Sequence, residues 1–211
     1  MTGTRIILLR HGETVWNVEG RYQGHLDSPL TPTGEAQAHA LAERLAGRSF
    51  ARLYSSDLGR AQRTAEFIAA RTGREIVNDA RLRERHLGIF QGKVKSEMKE
   101  QFPEAYRRFK SADPDYVIPS GESARQRAEL AVNCLVDLGN QYAGEEIVVV
   151  THGGVVSAMF RHTFGIPLDA PRRFTRANAS WNVFVWERDR WMIETWGDTS
   201  HWPVGAGRDD L

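Results

Sequence analysis

Apolar residues gather in two short unbroken runs, Ile6 to Leu9 and Ile147 to Val150, and each run ends abruptly in polar residues and glycine. Runs of this kind predict strands buried on both faces, as in parallel sheets covered by helices. The first leaves through Arg10, His11, Gly12 and Glu13, the second through Thr151, His152, Gly153 and Gly154. Two buried strands therefore each end in His-Gly.

Between them the period changes. Ala38, Leu41, Ala42 and Leu45 recur at helical spacing, with Pro32 near the start of their segment and Gly47 as its stop. Residues 50–56 read as a strand. Residues 57–73 read as a second helix, with Ala61, Thr64, Ala65, Ile68 and Ala69 on one face and Gly73 at its end. A short strand at 75–77 precedes the irregular RLRERHLGIFQGK. Residues 95–120 are polar, dotted with aromatics and broken by Pro103, Pro114 and Pro119, which predicts one or two short helices in an insertion. From Gly121 a long helix carries Ala124, Ala128, Ala131, Cys134, Leu135, Leu138 and Tyr142 on one stripe. A helix from about 155 to 164 follows the second His-Gly, and two alternating strands, about 181–186 and 190–196, come last. Strands alternating with helices predict an α/β fold with a mostly parallel central sheet and helices on both faces, a three-layer sandwich. Ligands in such folds sit outside the carboxyl ends of the strands, so the two His-Gly turns can meet over one site.

The 211 residues, 41% of them apolar, suffice for one core, and a single domain spanning 1–211 with an insertion at about 93–120 is expected. Lys and Arg number 28 against 27 Asp and Glu, so the net charge of +1 gives no general attraction to nucleic acid or an anionic membrane, and any anion site must be local. No apolar run approaches a membrane span and the amino terminus lacks a signal-peptide pattern. With Cys134 as the one cysteine no internal disulfide can form. A cytoplasmic location is expected.

Arg10 and His11 leave one strand end together, and Gly12 lets backbone approach a bound group closely. Ser55, Ser56 and Asp57 precede a helix whose first turn holds Arg60. Helix amino termini favour anions, and an arginine fork matches adjacent phosphate oxygens. Two arginines, two histidines and a helix start thus point to something small and doubly negative. Thr14, Asn17 and Ser56 can equally be turn and cap residues. His25, His39, His162 and His201 read as surface or packing residues, and His86 stays open. No H-E-x-x-H, cysteine pair or carboxylate cluster of ligand spacing suggests a metal. Cys134 lies mid-helix without the arginine-bearing loop that a cysteine phosphatase needs. DPDYV at 113–117 fits the D-x-D-x-V pattern of aspartate phosphatases, but no buried strand precedes it, so Asp113 and Asp115 read as turn residues.

LLRHGETVWN, GRYQGHLDSPLTPTGEAQA, YSSDLGRAQRTA, RERHLGIFQGK, GES at 121–123 and VVVTHGG together resemble the histidine phosphatase superfamily, the phosphoglycerate mutase-like family, in its order and over nearly the whole chain. The resemblance implies the phosphoglycerate mutase-like fold and a phosphomonoesterase that needs no cofactor or metal. It makes His11 the nucleophile that becomes a phosphohistidine, with Arg10, Arg60 and His152 holding the phosphoryl oxygens and Glu84 as the acid. Asn17, Gln23 and Gly24 would line the phosphate pocket, with Thr14 and Gly153 beside them as further substrate contacts. To donate a proton at neutral pH, Glu84 needs a pKa raised by burial or by a neighbouring negative charge such as bound phosphate. Its bland alternative is a surface ion pair with Arg83 or Arg85. Where mutases of the family typically carry tyrosine after E-R-H, this chain has Leu87, and its insertion is short. Arg107 and Arg108 read as a solvated helix face, while Phe102, Tyr106, Phe109 and Tyr116 divide between a lid and ordinary packing. Phosphatase is therefore the expectation, with bisphosphoglycerate-dependent phosphoglycerate mutase and then a non-catalytic phosphate-binding module as alternatives. The expected partner is a small phosphorylated metabolite, with no nucleic acid and no membrane, and the chain is open to forming a homodimer.

Overall fold

A computed structural model describes residues 3–202. Strand β1 (Thr4–Arg10) pairs parallel with β4 (Glu146–Thr151), and β2 (Leu53–Ser55) and β3 (Ile76–Asn78) extend the sheet in parallel beyond β4. On the other side of β1 lie β5 (Trp181–Glu187) and then β6 (Arg190–Asp198), both antiparallel to their neighbours. The order is β3-β2-β4-β1-β5-β6, so the mostly parallel sheet of the sequence reading is present.

Successive side chains of a strand point to opposite faces. Ile7, Leu9, Val148 and Val150 pack against Leu41 and Leu45 of α2 (Pro32–Leu45) and Ala61 and Ile68 of α3 (Gly59–Thr72). Ile6, Leu8, Ile147 and Val149 pack against Leu135 and Leu138 of α6 (Ala124–Gln141) and Val156 and Met159 of α7 (Gly153–Phe164). This is the three-layer arrangement. Each fully buried aliphatic side chain contributes about 1.5–3 kcal/mol, and that burial fixes the register. Leu9 lies opposite Val150 and Arg10 opposite Thr151. The two strands end level, and His11 and His152 emerge side by side.

The insertion forms α4 (Lys95–Gln101) and α5 (Pro103–Lys110) and has a small core of its own. Leu87, Phe90, Met98, Tyr116 and Ile118 are buried there, with Phe102, Tyr106 and Phe109 packed against them. Asp113 and Asp115 form a turn, the Asp115 amide donating to Asp113 Oδ1 at 2.9 Å. Arg107 and Arg108 are exposed.

Two expectations need correction. β5 does not alternate between core and solvent, since Trp181 to Val185 are all buried. Its polar residue Asn182 is kept inside because its Nδ2 donates to the Leu8 carbonyl at 3.0 Å and its Oδ1 accepts from the Gly197 amide at 2.8 Å. β6, at the sheet edge, does alternate over residues 190–194. Nor does the second helix start at residue 57, since α3 begins at Gly59 and Asp57 stands outside it. Asp57 binds Arg83, while the cap comes from distant Asp27, which accepts from the amides of Gly59 at 2.8 Å and Arg60 at 3.2 Å.

Candidate active site

His11 leaves β1 with its amide bonded to the Thr151 carbonyl at 2.9 Å. Its Nδ1 lies 2.8 Å from the Gly12 carbonyl oxygen. That oxygen can only accept, so Nδ1 carries the hydrogen and Nε2 keeps its lone pair. Burial holds the imidazole well below its ordinary pKa of 6.5, and Arg60 and Arg10 push the same way. The ring is neutral at pH 7. Gly12 is glycine by necessity, because a Cβ there would lie 2.5 Å from the Gly34 carbonyl oxygen in the first turn of α2.

Arg60 is buried on α3 and donates to Asp27 Oδ1 at 2.7 Å and to the carbonyls of Leu26 at 3.0 Å and Gly24 at 2.8 Å. These bonds fix the guanidinium and leave Nε buried with no hydrogen-bond partner. Arg10 donates through Nη1 to the Arg176 carbonyl. The His152 ring stands 5.2 Å from that of His11, centroid to centroid, with Nε2 2.8 Å from Ser56 Oγ. Its Nδ1 is buried without a hydrogen-bond partner. Burial, then Arg60 and His11, hold His152 well below its ordinary pKa too. Ser56 thus orients the second histidine as well as bonding the Leu58 amide at 3.3 Å.

Glu84 is no surface ion pair. Its Oε2 accepts from the Gly154 amide at 2.9 Å, at the start of α7, and its Oε1 from the Arg85 amide at 2.8 Å. Arg83 is turned away onto Asp57. The demand for a raised pKa is not met in the free protein. Burial does push the carboxyl up, but the two amides, Arg176 and Arg60 outweigh it, and the net shift is downward from 4.5. Glu84 is a carboxylate at neutral pH until something negative is bound beside it.

Arg10, His11, Asn17, Gln23, Gly24, Arg60, Glu84 and Gly153 line one cleft of about 490 Å³. Thr14 and His152 are fully buried beside it. Thr14 caps α1 (Val15–Val18) by accepting from the Asn17 amide at 3.1 Å, and its Oγ1 also accepts from Gln23 Nε2 at 2.8 Å. This turn thus combines a helix cap at Thr14 with two side chains, Asn17 and Gln23, that line the cleft. Leu87 and Phe109 supply apolar wall, and Arg21, Arg85, Lys95, Arg127, Arg161 and Arg176 supply positive charge.

Sequence reading missed several participants. Asp27 holds Arg60. Asn178 Nδ2 donates to the carbonyls of His11 at 3.0 Å and Gly12 at 3.2 Å. Arg176 enters the cleft from the same irregular loop, where no periodicity announces a role. His25 takes the packing side of its surface-or-packing reading, and it does so at the site: its Nε2 lies 2.8 Å from the Glu84 carbonyl oxygen and its ring packs edge-on to His86 at 4.6 Å.

Known proteins resemble the chain over nearly its whole length. Phosphoglycerate mutase-like protein 4 of Arabidopsis thaliana is 43% identical over 93% of this chain and 86% of its own length. The metal-independent phosphoserine phosphatase of the same plant is 41% identical over 94% and 83%. The solved structure of mycobacterial glucosyl-3-phosphoglycerate phosphatase, complexed with VO3, superposes with a TM-score of 0.79 at 33% identity, covering 92% of this chain and 99% of that one. Residues 6–199 match the family model of the histidine phosphatase superfamily, branch 1, and the protein is a member of that superfamily.

Proposed function

We propose that this protein is a phosphomonoesterase that hydrolyses a small phosphorylated metabolite through a phosphohistidine on His11. One observation carries the reading. A neutral imidazole, its tautomer fixed by the Gly12 carbonyl, offers a lone pair beside Arg10 and Arg60 in a cleft that also holds a carboxylate. Nε2 attacks phosphorus as the ester P–O bond breaks, and the departing oxygen takes a proton held at Glu84. Water then attacks the phosphohistidine, loses its proton to Glu84 and releases phosphate and free His11. Arg10, Arg60 and His152 bear the phosphoryl oxygens, with Asn17, Gln23 and the Gly24 backbone at the pocket's rim. That work is positioning and charge stabilisation, as a loose phosphoryl-transfer transition state requires.

The similarity to proteins named for phosphoserine and glucosyl-3-phosphoglycerate hydrolysis supports the same reading. The mutase alternative draws on the name of another relative. Against it stands Leu87, 8% exposed in the cleft wall, an apolar group where a mutase needs one that holds its substrate. A brief reaction with a radiolabelled ester should place an acid-labile, base-stable label on His11, absent in His11→Ala. A label on serine or cysteine overturns the mechanism. With 3-phosphoglycerate and a trace of 2,3-bisphosphoglycerate, free phosphate should outpace 2-phosphoglycerate. Isomerisation many-fold faster than hydrolysis would make the enzyme a mutase.

A further inference from the structure

A phosphoryl group held by Arg10 and Arg60 does not need all the positive charge in this cleft. Most of the remainder is already engaged. Arg21 pairs with Glu19 and Glu97, Arg161 donates to the carbonyls of Pro167 and Ala170, and Lys95 is exposed. Arg127 differs. It lies on the buried face of α6, 5% exposed, and lines the cleft. Its Nη2 donates to the Arg81 carbonyl, and its Nε is buried with no hydrogen-bond partner. Among the described residues it forms no ion pair. The acids that act on it electrostatically are Glu122, Glu84 and, more weakly, Asp79, and the first two are committed to amides, Glu122 to that of His86 at 2.6 Å and Glu84 to those of Arg85 and Gly154.

A buried cation without a direct counter-charge is costly, and a guanidinium in a helix stripe otherwise made of Ala131, Cys134, Leu135 and Leu138 has no packing reason to be there. Arg127 lines the same cleft as Glu84, and Glu84, as the proton donor to the departing oxygen in the hydrolase reading, marks the side from which the ester's alcohol departs. Small Ala124 and Ala128 line the same wall and leave it open.

We infer that Arg127 is a specificity-determining residue that binds a second anionic group, carboxylate or phosphate, on the alcohol portion of the substrate. The inference rests on the hydrolase reading for the side given to the alcohol and for its catalytic test. Phosphoserine and phosphoethanolamine differ by one carboxylate, as do 3-phosphoglycerate and glycerol 3-phosphate in effect, and propanediol bisphosphate against the monophosphate tests a second phosphate. In the wild type the doubly anionic member of a pair should have the higher kcat/KM by roughly 10- to 100-fold, the worth of one charged hydrogen bond. Whichever pair shows it identifies the second anion.

Arg127→Met should erase most of that ratio through KM, and Arg127→Lys, which keeps charge without the fork, should retain part of it. Equal loss on both members, or an unaltered ratio, would make Arg127 merely structural. Calorimetry on His11→Ala, which cannot turn over, supplies a readout independent of catalysis. There Arg127→Met should weaken 3-phosphoglycerate binding by a similar factor. If the wild type hydrolyses no ester yet this binding depends on Arg127, the hydrolase reading falls and the anion site stands. If binding is unaffected by either Arg127 variant, the anion site falls.

Discussion

The Gly154 amide donates to Glu84 Oε2 at 2.9 Å, and a Cβ built on Gly154 would overlap Oε1 of the same carboxylate. A residue in the first turn of α7 thereby sets the position of a residue seventy places earlier. Gly154→Ala should push Glu84 off its amides without disturbing His11. Hydrolysis of an alkyl phosphate should slow by about 100-fold or more, the usual worth of a positioned proton donor. p-Nitrophenyl phosphate, whose leaving group needs less protonation, should lose much less. Equal losses on the two esters would remove Glu84 from the acid's role.

Because the free Glu84 carboxyl lies below 4.5, its proton has to arrive with the substrate. A monoanionic ester meeting the Glu84 carboxylate is kinetically equivalent to a dianionic ester meeting the protonated acid. For an alkyl ester kcat/KM should therefore fall about tenfold per pH unit above the second phosphate pKa of about 6. His11, already neutral well below 6.5, should add no limb between pH 5.5 and 6.5. A rise in kcat/KM with pH through that window that tracks loss of a proton from His11 would refute its neutral state.

Much of this site was legible because its groups lie where strands stop. The runs Ile6–Leu9 and Ile147–Val150 announce two buried strands, and polar residues directly after such strands have few structural reasons to be there. Residues that hold these groups were not legible. Asp27 reaches Arg60 from a loop with no periodic pattern, Asn178 reaches His11 across the sheet from the far end of the sequence, and Arg127 hides in an otherwise apolar stripe. β5 was misread because Asn182 looks like a solvent position, whereas it satisfies backbone inside the core. Side chains that bond distant backbone leave no local signature.

Asp27 offers a direct test of that hidden layer. It accepts from two amides at the start of α3 and from Arg60 Nη1 at 2.7 Å. Asp27→Ala should cost about 0.5–2 kcal/mol of stability as a lost helix cap, read as a lower urea midpoint. Freed from its anchor, Arg60 should hold the phosphoryl group less well, raising KM for every ester by about tenfold whatever its alcohol. Asp27→Asn keeps an acceptor for the amides and should recover more stability than affinity. Full recovery of both would mean that the negative charge on Asp27 has no part in placing Arg60.

Stability itself should carry the signature of the buried histidine pair. His11 and His152 are held well below 6.5 in the folded protein by burial and by Arg60, whereas in the unfolded chain both titrate near 6.5. Below that pH the unfolded state binds more protons, so stability is complete above about 6.5 and falls as pH drops. Two such groups give a slope approaching about 2.7 kcal/mol per pH unit. His201, with pKa lowered to about 4 by burial and by Arg44, acts in the same direction, and so does His25. The carboxylates with lowered values begin to contribute only near and below their ordinary range, which leaves the interval from pH 5 to 6.5 to the histidines. Urea midpoints across that interval should fall steeply in the wild type. The slope should be distinctly shallower in His152→Asn and shallower again in the double variant with His11→Asn, leaving what His25 and His201 contribute. An undiminished acid slope in the double variant would mean that the two rings already carry protons in the folded protein, and the neutral nucleophile would be lost with them.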